Sequence, residues 1–529
     1  MRAILHQNVE NTFKKIVSNT TRRGVTLVTL GVTACVYLLI SSMKNKDIDK
    51  KTGLKKLPSP KGAIPYFGHL LMLDEVPVNQ FTKWHNELGP LFTVRMGVKQ
   101  WVCVSEPYLA HQIFGVHGRY TSARPHTTYL CDYYALGRKG IVAGNPSLQW
   151  KKTRGATIQA LSPKNRPHLD KLVIPEAEEV VEKLLTITTQ KGSVNVADPL
   201  HFLSLNVILS TCFGKRVTST DDPLFLEITS IMREGGKRAS PAEEINTFLP
   251  IMTLFDMITG KKQKLDQFIV EQRDPAFGRL IQEARENNVD CLSNTLFESK
   301  DVNEYNNVLV ALADAILAGT DTTAVMLEWS LMILCHYPKV QKIIRDEIDQ
   351  FIRTNERLPT FEERESIPYS LSVQKECMRY KPTTFFGVPH ESTQGFEVNG
   401  YFIPKGASVV CNMHAIHRDP TFYPEADKFL PERFLGDLKP MYISANLNVN
   451  ARDTFNFGFG RRVCPGAYLA ELEIFNVWTR LFSQCVIEPA LDKDGIPVFP
   501  DLDALINAGI VTPPASPVMR IVKRVDSLL

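Results

Sequence analysis

The chain has 529 residues, of which 44% are hydrophobic and 22% are charged, and its formal net charge is +4. This composition supports a large buried core and excludes a chain that is mainly disordered. The small net charge gives no support to nucleic-acid binding. The ten cysteines are scattered singly without a C-x-x-C pair, which argues against a zinc site or a disulfide framework and favours a reducing compartment.

The N-terminal region predicts a membrane anchor. Residues 25–42 form an uncharged apolar run that is long enough to cross a bilayer as a helix. Positive charges are more numerous after this run than before it, which places the short segment 1–24 across the membrane and the body in the cytosol. Residues 43–62 form a basic, proline-containing linker. A mitochondrial transit sequence and a buried helix are the alternatives.

Residues 63–529 are predicted to form one large, mainly α-helical domain with a smaller β-rich part. Alternating apolar residues with Gly97 between them predict a β-hairpin over 91–104, and a second hairpin is predicted over 400–412. The longest predicted helix runs from about Asp301 to Cys335. Its length of roughly 50 Å would take it through the core of the domain.

A cysteine-containing loop over 457–466 precedes an amphipathic helix. Its three glycines permit tight bends, and the following helix N-terminus together with Arg461 and Arg462 favours the thiolate form of Cys464. Such a thiolate could ligate a metal or attack an electrophile. The alternative is an ordinary buried cysteine in a glycine-rich turn.

A second unusual segment, Ala-Gly-Thr-Asp-Thr-Thr over 318–323, interrupts the long predicted helix with poor helix formers. The missing side chain at Gly319 is interpreted as room for a flat ligand or a small molecule. Thr322 can divert its hydroxyl from the helix ladder, and Asp321 offers a proton donor or acceptor. A helix N-cap region and a solvated threonine-rich face are the alternatives.

These two segments resemble the cytochrome P-450 family. The cysteine loop matches its F-x-x-G-x-R-x-C-x-G signature, and 318–323 matches its A/G-G-x-D/E-T-T/S segment. The pair Glu376 and Arg379 resembles its E-x-x-R element, and the tetrapeptide containing Arg433 resembles its P-E-R-F element. In that family these three charged residues brace the core and have no catalytic role.

The resemblance implies a haem b site. Cys464 would be the axial ligand of the iron, Phe457 would pack beside the sulfur, and Gly466 belongs to the same cofactor-binding loop. The residues that would reach the haem propionates are Trp150, Arg154, Arg124, His390 and Arg462. For Trp150 and Arg154, which stand one helical turn apart, a solvated amphipathic helix is the alternative.

The implied activity is insertion of one oxygen atom from O2 into a hydrophobic substrate of steroid, fatty acid, terpenoid or xenobiotic type. Asp321 and Thr322 would deliver protons to the dioxygen. The expected electron donor is a separate NADPH-dependent cytochrome P-450 reductase, with cytochrome b5 as a further candidate. Lys151, Lys152 and Arg461 are candidates for the basic surface on which this donor docks.

The resemblance is to microsomal members, fungal ones among them, which implies the endoplasmic-reticulum membrane; a mitochondrial membrane is the alternative. Two other functions stay open, an oxygen-independent haem isomerase or dehydratase and a non-enzymatic haem sensor or electron carrier. The acid–alcohol pair at 321–322 speaks against the first of them. Substrate-contacting residues are expected within four segments, 125–137, 311–318, 384–388 and 507–510.

Overall fold

The computed structural model describes residues 53–300 and 302–528. The predicted segment 1–24, the anchor over 25–42 and most of the linker lie outside the described residues. Within the described part, ten helices have ten or more residues: α1 Pro77–Leu88, α2 Leu148–Ala160, α3 Arg166–Lys191, α4 Ala197–Phe213, α5 Pro223–Arg238, α6 Asp274–Glu286, α7 Tyr305–His336, α8 Pro338–Asn355, α9 Pro368–Tyr380 and α10 Ala467–Gln484.

Shorter helical segments join these helices. The short α-helices are Pro107–Ala110, Ile245–Phe248, Thr253–Thr259, Lys261–Gln267, Leu292–Glu298, Met413–Ile416 and Met441–Ser444. Three segments have π-helical geometry: His111–Val116, Thr128–Tyr134 and Phe268–Arg273. The ten strands are β1 Leu91–Met96, β2 Lys99–Val104, β3 Val194–Asn195, β4 His390–Glu391, β5 Phe396–Val398, β6 Tyr401–Ile403, β7 Ser408–Cys411, β8 Cys485–Leu491, β9 Pro497–Val498 and β10 Val518–Lys523.

The strands form three small sheets, in the orders β1-β2-β7-β4, β3-β10-β8-β9 and β5-β6. The hairpin predicted over 91–104 is confirmed, because β1 and β2 pair in antiparallel register around Gly97, whose φ is 61°. The hairpin predicted over 400–412 is wrong. Its two strands exist, but β6 pairs with β5, whereas β7 lies parallel to β2 in another sheet.

The predicted long helix is α7, which begins at Tyr305 and ends at His336. Within the described residues it is the one helix long and apolar enough to cross a membrane, and 67% of its most apolar window is buried inside the molecule. It therefore runs through the core, as expected from its length, and α4 packs along it. Because α7 runs through the core, it would form one wall of any cavity at the centre of the fold.

The Glu376 and Arg379 side chains of α9 form the predicted buried network, and both are 0% exposed. Arg379 donates two parallel hydrogen bonds to the Glu376 carboxylate, at 2.7 and 2.8 Å. Its remaining N–H groups donate to the backbone carbonyls of His417, Ala426 and Lys428. Arg433 adds a second cation, 3.3 Å from the same carboxylate. This network fixes α9 against the segment that leads to the cysteine loop.

Candidate functional site

A cavity of about 320 Å³ lies between α7 and the cysteine loop. Its walls are mostly apolar. They come from parts of the chain that are far apart in sequence, because β2–β7 pairing brings the first third of the domain against the last. Of the residues predicted to form the site, the cavity is lined by Arg124, Arg154, Thr322, His390, Phe457, Arg462, Cys464 and Gly466.

The cysteine loop presents the sulfur of Cys464 to this cavity. The Cys464 N–H donates to the Phe457 carbonyl at 2.8 Å, which closes the loop on itself. Gly460 has a φ of 58°, and a Cβ at this position would lie 2.2 Å from the Phe114 carbonyl oxygen, so no other residue fits there. Among the cysteines of the described chain, Cys464 is the one whose side chain is exposed, and it is exposed to the cavity.

The ionisation of Cys464 differs from the prediction. Burial raises the pKa of the thiol, while the Gly466 N–H and the Arg154 guanidinium act in the opposite direction. The arginine that favours the thiolate is thus Arg154 of α2, and neither Arg461 nor Arg462 of the loop itself. Arg461 points outward and is exposed, and Arg462 turns to the backbone of residues 122–144.

Three arginine side chains, Arg124, Arg154 and Arg462, lie together at the edge of the cavity. Their partners are backbone carbonyls: Arg124 donates to Val388 and Pro389, both at 2.8 Å, and Arg462 donates to Ser122 and Ile141, both at 2.9 Å. Arg154 donates to the carbonyl of Val463.

Within the described residues none of these three arginines is within ion-pair distance of a carboxylate. Burial lowers the pKa of Arg124, and the charges of Arg462 and Arg154 lower it further. Burial, and then Arg154, lowers the pKa of Arg462 to about 10. The charge of Asp314, which lines the same cavity, acts on Arg462 in the opposite direction. One nearby carboxylate against three guanidinium groups leaves an excess of positive charge, an arrangement that suits an anionic ligand.

Trp150 and His390 support this cluster. The Trp150 indole N–H, predicted to bind a carboxylate, donates instead to the Ile141 carbonyl at 3.0 Å, and its ring lies 4.3 Å from the Arg462 guanidinium. It thus contributes as a platform beneath Arg462. The His390 Nδ1 is 2.6 Å from the Thr121 carbonyl oxygen, and burial, followed by the charge of Arg124, lowers the pKa of His390 well below its ordinary value. A neutral imidazole donates this hydrogen bond.

The segment 318–323 lies in the middle of α7, so the helix N-cap interpretation is wrong. Thr322 lines the cavity, and its hydroxyl donates to the Ala318 carbonyl at 2.7 Å. Thr320 and Thr323 are buried, which excludes a solvated face. Gly319 lines the cavity, in agreement with the interpretation that its missing side chain leaves room for a ligand, and it also lies against α4, since a Cβ there would lie 2.9 Å from Ile208 Cγ1. The glycine permits the close approach of α4 to α7.

Asp321 faces α4 rather than the cavity wall, and burial raises its pKa to about 6. Its Oδ1 is 3.6 Å from His201 Nε2, and the other ring nitrogen of His201 is 3.4 Å from Glu328 Oε1. Burial, and then the charge of Asp321, raises the pKa of Glu328 to about 8. Sequence reasoning missed His201 and Glu328. The sequence could have indicated Glu328, because it is an acid in an apolar helix and lies two helical turns after Asp321, on the same face of that helix.

Three of the four expected substrate segments line the cavity, through Ala315, Ala318, Thr384, Phe386, Gly387, Val388 and Ile510. The fourth segment, 125–137, does not. Its side chains Tyr129 and Tyr134 line a separate, smaller cavity on another side of α7. The difference arises because 128–134 folds into a π-helical turn that packs against α5 and the segment Phe268–Arg273.

Comparison with known proteins identifies the family. The family model described as Cytochrome P450 matches residues 58–516. The chain is 27% identical to "Cytochrome P450 monooxygenase 253" of Postia placenta, over 89% of each protein, and 26% identical to the steroid 17-alpha-hydroxylase/17,20 lyase of Felis catus, over 79% of this chain and 84% of that protein.

Solved structures agree with this assignment. A zebra fish cytochrome P450 structure with abiraterone superposes with a TM-score of 0.69 at 25% identity, covering 85% of this chain and all of that one. A structure of a zebra fish cytochrome P450 with progesterone gives a TM-score of 0.70. The mainly α fold with a smaller β part is thereby confirmed. The chain belongs to the cytochrome P450 family and is an oxidoreductase of the monooxygenase type.

Proposed function

We propose that this chain is a haem-thiolate monooxygenase that uses Cys464 as the axial ligand and inserts one oxygen atom from O2 into a hydrophobic organic substrate. One observation carries the proposal. A cysteine held in a glycine-bent loop faces an apolar cavity that has Thr322 in its wall and three arginines at its edge. A thiolate donor, apolar walls and clustered cations together suit a thiolate-ligated haem b, because they match its iron, its ring and its propionates respectively.

The arginine cluster shows whether the cavity edge matches the propionates of haem b. Haem b carries two carboxylates. Arg124 and Arg154 are buried and Arg462 is half-buried, and none of the three is within ion-pair distance of a carboxylate within the described chain. These arginines would pair with the propionates, with Trp150 and His390 supporting them. Phe457 and Gly466 would flank the thiolate face. The residues present therefore fit the group.

When bound, the haem supplies the binding and reductive activation of dioxygen. The chain supplies the surroundings. Cys464 donates electron density, the apolar walls exclude water, and the Thr322 hydroxyl in the wall orients a proton donor. Asp321, which is about half protonated near pH 6, exchanges protons behind Thr322. The position of Thr322 in the wall favours a monooxygenase over an oxygen-independent haem isomerase or dehydratase, and over a haem sensor.

We infer that electrons come from a separate NADPH-dependent reductase, with cytochrome b5 as a second donor. Lys151 of α2 and Arg461 of the cysteine loop are exposed on the two elements that carry Arg154 and Cys464. Lys152 lies beside them, half-buried. A basic surface at this place would steer an acidic donor domain to the thiolate side of the site, and its effect would weaken with ionic strength.

We also propose that the protein is held at the endoplasmic-reticulum membrane by residues 25–42. An exposed apolar patch elsewhere in the chain supports a second contact with the membrane. The short helix Thr253–Thr259 exposes large apolar side chains and is followed by exposed Lys262 and Lys264, a pattern that suits the interface of an anionic bilayer. The exposed apolar residues are Leu254, Met257 and Ile258.

The substrate is proposed to be a small hydrophobic molecule. The walls of the cavity are mainly apolar, and relatives at 26–27% identity are named steroid 17-alpha-hydroxylase/17,20 lyase. Steroid-type molecules are therefore the first class to test, followed by fatty acids, terpenoids and xenobiotics.

The proposal is tested by replacing the thiolate. Cys464→Ala is expected to abolish the carbon-monoxide difference spectrum of a reduced haem-thiolate protein, whereas Cys291→Ala, at a buried cysteine far from the loop in sequence, is expected to keep it. Turnover with purified reductase, NADPH and ¹⁸O2 should place one labelled atom in the product. A parental spectrum in Cys464→Ala would overturn the proposal. An oxidised or rearranged product without label would point to the oxygen-independent alternative.

A further inference from the structure

Glu473 of α10 is an acidic side chain in the wall of the cavity between α7 and the cysteine loop. It is 2% exposed, and the other wall residues from the same helix are the apolar Leu469, Ala470 and Ile474. A buried carboxyl in apolar surroundings is costly unless it is neutral or paired with a cation. The packing of a flat cofactor does not explain an acid at this position, and the proposed activity does not use it.

The contacts of Glu473 favour a neutral carboxyl. The Ser204 hydroxyl of α4 donates to one of its oxygens, and no cation of the described chain lies within ion-pair distance. Burial raises the pKa of Glu473 to about 8, the hydrogen bond from Ser204 acts in the opposite direction, and the charge of Glu176 on α3 adds to the rise. The carboxyl is therefore protonated at neutral pH and ionises in mildly alkaline solution.

The other ionisable groups on α10 and on the helices packed around it have contacts of their own. These are Glu176 with Arg216, Glu178 with Arg480, Glu328 with His201, and Asp349 with Arg524. Glu471, also on α10, accepts the N–H groups of Met441 and Tyr442 at 2.8 and 3.1 Å. Of these charges, that of Glu176 acts on Glu473. The protonation of Glu473 therefore depends mainly on its burial and on the charge that the cavity itself holds.

The charge of the proposed occupant changes by one unit when its iron is reduced. A porphyrin with a thiolate ligand is neutral around ferric iron and carries one negative charge around ferrous iron. Because a cavity of about 320 Å³ is only about 10 Å across, at an effective dielectric constant of about 20 this charge would raise the proton affinity of Glu473 roughly tenfold. Reduction of the iron and protonation of Glu473 would thus favour each other.

We propose that Glu473 couples reduction of the haem to proton binding. As the iron accepts one electron from the reductase, the ionised Glu473 carboxylate binds one proton from solvent; one O–H bond forms and no bond breaks. At neutral pH the carboxyl already holds its proton, so no anion opposes the electron, whereas in alkaline solution reduction becomes harder. The inference rests on the proposed haem-thiolate function and adds to it the residue that makes the reduction potential depend on pH.

The test is a spectroelectrochemical titration of the haem-loaded enzyme between pH 6.5 and 9.5, in which the Soret absorbance reports the reduced fraction. The equilibrium constant for reduction is expected to fall about five- to tenfold from pH 7 to 9.5, or roughly 40–60 mV at 59 mV per tenfold for one electron. Below pH 7 it should be nearly constant, because the carboxyl is protonated in both oxidation states.

Two variants change this dependence in different ways. Glu473→Gln is neutral at every pH, so its equilibrium constant should lie within about twofold of the parental value at pH 7 and fall less than about twofold up to pH 9.5. Ser204→Ala keeps the acid but removes the hydrogen bond that lowers its pKa, so the fall should begin at a higher pH. Glu298→Gln, at an exposed acid outside the cavity, is the control and should behave as the parent.

Three results would overturn the proposal. These are a potential that is independent of pH in the parent enzyme, an equal fall in Glu473→Gln and the parent, and a fall that begins at the same pH in Ser204→Ala and the parent. The first needs no variant to fold. The reduced carbon-monoxide spectrum is recorded on the same samples. Its loss would count against the proposed haem-thiolate function, whereas with a normal spectrum each of the three results counts against the role of Glu473 alone.

Discussion

Arg379 beneath the site and the three arginines at the cavity edge are accommodated in opposite ways. Arg379 is matched within the fold, since Glu376 accepts two of its hydrogen bonds and backbone carbonyls accept the others. Arg124, Arg154 and Arg462 at the cavity edge have carbonyl partners but no carboxylate within the described chain. The scaffold charge is neutralised within the protein, whereas the charges at the cavity edge would be neutralised by the propionates of the proposed haem. We therefore expect Arg379 to contribute to stability and the three cavity-edge arginines to contribute to haem binding.

Removal of the Glu376 carboxylate is expected to have the largest effect on stability. Glu376→Ala leaves Arg379 buried without its counter-ion, which should cost about 3–5 kcal/mol of the free energy of unfolding. The same loss is expected whether or not haem is bound, because the pair belongs to the scaffold. Urea denaturation of the haem-free variant and the haem-free parent measures it. In Glu376→Ala/Arg379→Met part of it should return, because the unpaired charge is gone. A loss below about 1 kcal/mol would show that the pair is not required.

Glu328 is a buried acid whose protonation makes the stability of the protein depend on pH. In the native state the pKa of Glu328 is raised to about 8, so its carboxyl stays protonated up to that pH. In the unfolded chain the same carboxyl loses its proton near the ordinary pKa of 4.5. The unfolded state therefore binds fewer protons between these pH values, and the contribution of Glu328 to stability falls as pH rises through that window.

Glu328→Gln should remove this dependence. The variant is expected to exceed the parent by on the order of 1–3 kcal/mol at pH 8, with the difference vanishing near pH 4.5. Denaturant unfolding across pH 4.5–8 measures it. Glu298→Gln, at an exposed acid, is the matched control and should leave the slope of stability against pH unchanged. The same slope in Glu328→Gln and parent would contradict a protonated Glu328.

Arg154→Met tests whether an arginine at the cavity edge contributes to haem binding rather than to stability. Because Arg154 has a single carbonyl partner and no ion pair among the described residues, the haem-free protein should change in stability by less than about 1.5 kcal/mol. Haem affinity should fall about tenfold, because one propionate contact is lost. Haem transfer to apomyoglobin reports that affinity. A variant that loses stability but retains haem normally would make Arg154 a scaffold residue.

The smallest effect concerns the packing behind the site. In Gly319→Ala the added methyl meets Ile208 at 2.9 Å, and this crowding should cost about 1–2 kcal/mol despite the better helix propensity of alanine. Since the cost arises from one contact, it should shrink when measured in an Ile208→Ala background. Equal costs in both backgrounds would contradict the close approach of α4 and α7.

Local patterns in the sequence predicted the local parts of the molecule. The hairpin around Gly97, the long helix α7 and the cysteine loop each depend on residues adjacent in the chain. The prediction failed where distant strands compete, as with β7, which leaves its neighbour β6 to lie beside β2. A turn signal at Pro404 and Gly406 shows that the chain bends but not which strand it joins.

The same limit applies to the site. Residue types predicted that Cys464, Thr322 and the three arginines belong to one site, and all of them line the cavity, because their motifs are contiguous or closely spaced. The pairing of Asp321 with His201 could not be read from the sequence, since it joins residues 120 positions apart on two different helices. The role of Trp150 beneath Arg462 likewise depends on a fold that brings α2 to the cysteine loop.

The contacts of Arg462 have a consequence for synthesis of the protein. Its guanidinium bonds to the carbonyls of Ser122 and Ile141, which precede it by 340 and 321 residues. At ribosomal rates of about 5–20 residues per second, Arg462 is synthesised roughly 15–70 s after the segment 122–141 that it contacts. During that interval the nascent chain presents an apolar surface that chaperones must shield. Haem capture is therefore expected to be a late, almost post-translational event.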